Sequence, residues 1–234
     1  MEKIKEEVPE KLRIAVLLSF ISGYINAFTY NNAGELFAGA QTGNVIFMAL
    51  HFAKGNLEKA VEFLIPIISF MIGQIFIYCF RNFFQRRGHK GYIHSSLLML
   101  FIMIMLIVLL PFFDYHFIVV TLAFFAAIQS DTFQRLRGFS YATIMMTGNV
   151  KNAPRLLIEG LVQRDRELLV RGFLLFLIIF SFMLGVGIST YFTQFVKKSA
   201  LVPLILPLSY INYVLFKEEH NVIDVVKSKI RKIK

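Results

Sequence analysis

The sequence predicts an all-α membrane protein with six transmembrane helices plus two short re-entrant helices, in two inverted-topology repeats of three spans each. Three observations predict it. Hydrophobic residues make up 56% of the 234 residues and mean hydropathy is +0.63, with several apolar runs long enough to cross a bilayer. The tripeptide Thr42-Gly43-Asn44 recurs 105 residues later as Thr147-Gly148-Asn149, and the same offset carries Asn26 onto Asp131 and Phe28 onto Phe133. The charges sit in short linkers, biased by linker as membrane topology demands.

Residues 1–11 mix acids and bases and read as a cytoplasmic N-terminal segment. The apolar run 12–30 lacks a small-residue cleavage site and more spans follow, so it reads as a retained first helix. Residues 42–53 cover only about 18 Å as a helix, against about 30 Å of hydrocarbon, so they read as a helix that enters and stops. Runs 61–80 and 95–113 complete a first repeat over 12–113.

Run 117–134 opens the second repeat, 117–216. Residues 147–160 contain Lys151, Asn152, Pro154 and Arg155. A cation at the bilayer centre costs about 3 kcal/mol or more, so this segment reads as the second short helix. Runs 168–195 and 201–216 complete the repeat, and a basic amphipathic tail fills 217–234.

Linker 81–94 holds Arg81, Arg86, Arg87 and Lys90 and no acid, and Arg135 and Arg137 mark a second basic linker. Linkers 31–40 and 111–117 carry only Glu35 and Asp114. Six spans place both basic linkers and both termini in the cytoplasm, whereas eight would export the basic linkers. Lys197 and Lys198 face outward in either count. The predicted location is the bacterial cell (inner) membrane. Each repeat then enters from the opposite face, which brings the two short helices toward each other near the midplane.

The net charge of +10 lies in those linkers and in the tail, which points to lipid headgroups and away from nucleic acid. Cys79 stands alone and the five histidines are scattered. No nucleophile, phosphate loop or metal-ligand spacing appears, so the sequence predicts no enzyme, cofactor or metal. The expected partners are the lipid bilayer and a small polar or anionic solute, with a homo-oligomer left open.

The candidate solute-binding residues are Thr42, Gly43, Asn44, Thr147, Gly148, Asn149, Asn26, Asp131, Gln129 and Gln74. A Thr or Asn at a helix start is a good N-cap, and the free amides there favour an anion or polar solute. The competing reading is that the motif only caps and packs its helix. Asp131 is an intramembrane carboxylate, or an interfacial acid paired with Arg135 four residues on. Asn26 bonds a solute or a neighbouring helix. The amide of Gln74 needs a protein partner in lipid. Gly185 and Gly187 read as sites of close helix approach, and Lys151 and Arg155 as headgroup contacts or a cytoplasmic mouth.

The string Gly-Tyr-Ile-Asn-Ala-Phe-Thr-Tyr at 23–30, followed by Gln-Thr-Gly-Asn-Val at 41–45, resembles the YoaK family of bacterial integral membrane proteins of unassigned function. The resemblance extends through Ala126-Ala127-Ile128-Gln129 and residues 142–149. In that family the position of Asn26 is typically Asp and that of Asp131 often Asn, so the resemblance implies that this chain has exchanged them while keeping one acid. Some members are described as small-molecule transporters, and the resemblance bears on the fold more than on the function. The leading expectation is a protein that moves a small solute. The alternative is a membrane scaffold or regulator acting through its basic tail and linkers.

Overall fold

A computed structural model describes residues 8–217 and Glu219. The chain is predominantly helical: α1 (Leu12–Asn32), α2 (Gln41–Ala53), α3 (Leu57–Arg86), α4 (Gly91–Leu109), α5 (Tyr115–Thr132), α6 (Met146–Gln163) and α7 (Arg166–Val196). A 3-10 segment, Lys197–Leu204, leads into α8 at 205–217. Apart from Lys217 and Glu219, the amphipathic tail expected over 217–234 lies outside the described residues.

Four helical stretches are long and apolar enough to cross a membrane: α1, α3, α4 and the run Arg166–Lys217. Within the last run, α7 ends at Val196, Lys197 has positive φ, and the 3-10 segment separates α7 from α8. α5 has 18 residues, about 27 Å of helix, and is largely buried. One short hairpin interrupts the helices. Arg135–Leu136 (β1) and Phe139–Ser140 (β2) form a small hairpin whose turn residues, Arg137 and Gly138, both have positive φ. Such a turn matches the twist of two antiparallel strands.

Asx caps start three helices. Asn56 accepts from the Lys59 amide at the head of α3, Asp114 from Phe117 in α5, and Asp165 from Glu167 and Leu168 in α7. Each supplies an acceptor to a first-turn amide that has no partner within the helix.

Helix directions follow from cross-contacts. Ser181 Oγ donates to the Val16 carbonyl and Gly185 lies against Phe20, so α1 and α7 run parallel. Ser69 Oγ donates to the Val120 carbonyl and Gly73 lies against Phe124, so α3 and α5 also run parallel. These two sets match: Ser181 and Gly185 each lie 112 residues beyond Ser69 and Gly73, and Val120 and Phe124 each lie 104 beyond Val16 and Phe20. A Cβ on Gly185 would overlap the Phe20 carbonyl, and one on Gly73 would stand 2.6 Å from Ala127 Cβ. Small residues let these backbones close up. Gly187 meets nothing within 4 Å, which corrects its expected packing role.

Glu10, at the head of α1, accepts from the amides of Arg137 and Gly138, just past the end of α5. α1 and α5 are therefore antiparallel. The same end of the molecule holds the close of α3, the head of α4 and Glu219, which accepts from Tyr92 Oη. At the other end, Lys59 Nζ packs against Gly34, so α3 starts where α1 finishes. Lys198 lies at that far end too. Its Nζ donates to the carbonyls of Leu110 and Phe113 and stands 4.9 Å from the Tyr115 ring centroid. A cation at carbonyls left free by a helix end is favourable, which accounts for one lysine of the unexpected pair.

The core lies where α1, α4, α5 and α8 meet, with Leu18, Tyr24, Phe28, Met99, Phe125, Leu208 and Ile211 buried. Phe28 and its repeat counterpart Phe133 both belong to it.

Candidate functional site

Each Thr-Gly-Asn lies in the first turn of its short helix. The residues that cap α2 and α6 are Ala40 and Met145, with no side-chain bond to a helix amide, which corrects the expected Thr or Asn cap. The asparagines reach backward. Asn44 Nδ2 donates to the Phe37 carbonyl at 2.8 Å while its Oδ1 accepts from the Phe37 amide at 2.9 Å. Asn149 does the same to Ala142, at 2.7 and 3.1 Å. Both asparagines are buried, and both clamp a residue seven positions earlier. An amide side chain that pairs with both backbone groups of one residue fixes an otherwise irregular loop against its helix. Thr42, Thr147 and Gly148 are exposed, and Gly43 packs on the Phe37 ring.

The loops that lead into the two short helices meet. A Cβ on Gly39 would stand 2.5 Å from Ile144 Cγ2, and these two positions are themselves 105 apart. Asn26 sits at this meeting point. Its Oδ1 accepts from the amides of Gly39 and Ala40 at 2.8 and 3.0 Å, and its Nδ2 donates to Ser22 O. It thus binds the loop ahead of α2, and two amides close to the head of that helix are already satisfied by protein.

Gln129 lies one helix over. Its Nε2 donates to the Leu18 carbonyl at 3.0 Å and Ser22 Oγ at 2.6 Å, tying α5 to α1. Gln129 Oε1, Ser19 Oγ and Thr143 Oγ1 are buried without a hydrogen-bond partner among the described residues. An unpaired buried polar atom costs about 1–3 kcal/mol. Gln74 Nε2 donates to the Ala127 carbonyl at 3.1 Å, so its amide has the protein partner it needs.

Asp131 does not follow its counterpart Asn26. Arg81 Nη1 donates to its carboxylate at 2.6 Å and its carbonyl at 2.8 Å, linking α3 to α5. This corrects the pairing with Arg135. α5 stops at Thr132 and the chain turns into β1, so residue 135 is not one helical turn above residue 131. Side-chain exposures of 28% and 22% keep the pair within reach of water, where such pairs contribute about 1 kcal/mol or less. Sequence spacing carried no signal for Arg81, which is 50 residues from its partner.

Around this pair lies a cavity of about 260 Å³, lined by Glu10, Arg81, Tyr92, Asp131, Thr132 and Arg135 among others. Glu10 is occupied by the Gly138 amide. Thr132 Oγ1 and Arg81 Nε have no hydrogen-bond partner among the described residues. On α6, Lys151 and Arg155 are exposed, with Arg155 4.0 Å from Glu159. No cluster of His, Cys, Asp and Glu suited to a metal occurs among the described residues.

Long apolar helices enclosing buried polar side chains define a helical protein of membrane type. The chain belongs to the family described as Protein of unknown function (DUF1275), whose model matches residues 14–213. Neither a curated protein nor a solved structure matches it.

Proposed function

We propose that this chain is a six-span inner-membrane protein, with both termini in the cytoplasm, that moves a small polar or anionic solute between two inverted repeats. The antiparallel run of α1 and α5 supports the inversion, as do the matched α1–α7 and α3–α5 crossings. The end that gathers Arg81, Arg135 and the head of α1 is the cytoplasmic one by its basic residues. α2 and α6 are the re-entrant helices, since α3 starts at the end where α1 finishes, and Arg171 of α7 stands 5.5 Å from the Phe139 ring just past α5.

One observation carries the reading: the loops ahead of the two short helices meet at Gly39 and Ile144, beside the polar set Asn26, Ser22 and Gln129. Discontinuous segments meeting inside a repeat pair are where transporters of this plan hold their solutes. The resemblance to the YoaK family agrees with it. In this reading Asn44 and Asn149 hold the two loops in place, and Asn26, Gln129 and Asp131 face the path.

Purified protein in liposomes, screened against small anions and polar metabolites, tests the proposal. Flux of at least one solute that falls with Gln129→Leu, in protein that still melts like the parent, supports it. Absence of any flux above empty liposomes contradicts it.

A further inference from the structure

We infer that the cavity between the ends of α3 and α5 is a binding site for a small carboxylate or oxyanion, and that Arg81 recognises it by changing partner from Asp131 to the ligand. The inference deepens the transport reading by giving the cytoplasmic mouth a substrate class, yet binding is measurable without transport.

The lining carries two acids and two arginines, but they are not equally available. The Glu10 carboxylate accepts from the Gly138 amide at 2.7 Å, and Asp131 accepts from Arg81 at 2.6 Å. Arg81 Nε and Thr132 Oγ1 are without a partner among the described residues, and Thr132 is only 8% exposed. The exposed Arg135 adds a second guanidinium. The accessible cations of the lining are thus the partly exposed Arg81 and the exposed Arg135, which suit a small ligand rich in acceptors.

A guanidinium fork with a second guanidinium beside it matches the two oxygens of a carboxylate or the face of a small oxyanion. A partly exposed ion pair exchanges partners readily, since a ligand anion replaces what Asp131 supplied. The volume of about 260 Å³ is below the usual range for drug-sized ligands, so the ligand is small. The repeat counterpart lacks the device. The position 112 beyond Arg81 is Thr193, and Asn26 stands for Asp131, so this charge recognition belongs to one mouth only.

The test uses full-length protein in detergent, with acetate, succinate and inorganic phosphate as probes and choline as the cationic control, read by calorimetry and thermal melting. The inference predicts saturable binding of at least one anion and none of choline. Arg81→Gln weakens binding about tenfold or more, the loss of one charge-assisted contact. Asp131→Asn tightens it, because the competing carboxylate is gone. That gain separates recognition from a structural role, which would make both variants bind worse. Arg81→Lys keeps the charge but loses the fork, and is expected to bind between the parent and Arg81→Gln. No anion binding by the parent, or weaker binding in Asp131→Asn protein that melts like the parent, overturns the inference. Anion binding without flux leaves it standing while the transport reading fails; flux without anion binding does the reverse.

Discussion

The side chain of Asn44 and the backbone of Phe37 exchange two hydrogen bonds, at 2.8 and 2.9 Å, across seven residues of chain. Asn149 and Ala142 repeat the arrangement in the other half. The duplicated tripeptide thus carries a loop clamp, and its most conspicuous polar residue is committed to backbone.

Asn44→Ala leaves the Phe37 amide and carbonyl without the asparagine and is expected to cost about 2–4 kcal/mol of stability. Asn149→Ala should cost a similar amount, since its geometry is the same. Unfolding in mild detergent with added denaturant checks both. Loss of solute flux with no change in stability would mean that the amides face a solute.

Gly185→Ala drives a methyl into the Phe20 carbonyl at the α1–α7 crossing. The expected cost is about 1–3 kcal/mol from overpacking. Gly187, two residues away, meets nothing within 4 Å, so Gly187→Ala should stay within about 0.5 kcal/mol. Thermal melting of the two variants side by side reads the difference.

Asp114 accepts from the Phe117 amide, and this bond, with His116 nearby, holds its carboxyl below the ordinary 3.8. A depressed folded-state value means that the ionised group's contribution is present above 3.8 and is lost as pH falls through the lower value. Asp114→Asn keeps a cap acceptor but not the charge. Its stability deficit relative to the parent should therefore be visible at neutral pH and should shrink in acid, as melting across a pH series would show. A deficit independent of pH contradicts the cap's charge dependence.

Much of the fold was legible because apolar runs report spans directly. Run 61–80 lies within α3, run 95–113 overruns α4 by four residues, and the short segment 42–53 matches α2 to one residue. The second half of the duplication was harder to read. α6 is five residues longer than α2, which is part of why the offset drifts from 105 at the tripeptides to 112 at Ser69 and Ser181. One fixed spacing misses the later matches. Local chemistry also misled at two points. Asn44 looked like a cap but folds back on its own loop, and Asp131 looked paired with Arg135 until the end of α5 intervened. The Arg81 contact is set by how α3 packs on α5, which no residue spacing encodes.

Cysteine labelling on intact cells tests the inverted arrangement most directly. In a Cys79→Ser background, Lys54→Cys is expected to react with an impermeant maleimide from outside. Lys90→Cys and Arg164→Cys, also at exposed positions, should react only after the membrane is opened. Labelling of position 54 only after opening, or of position 90 from outside, would contradict the opposed re-entrant helices, and with them the proposed path.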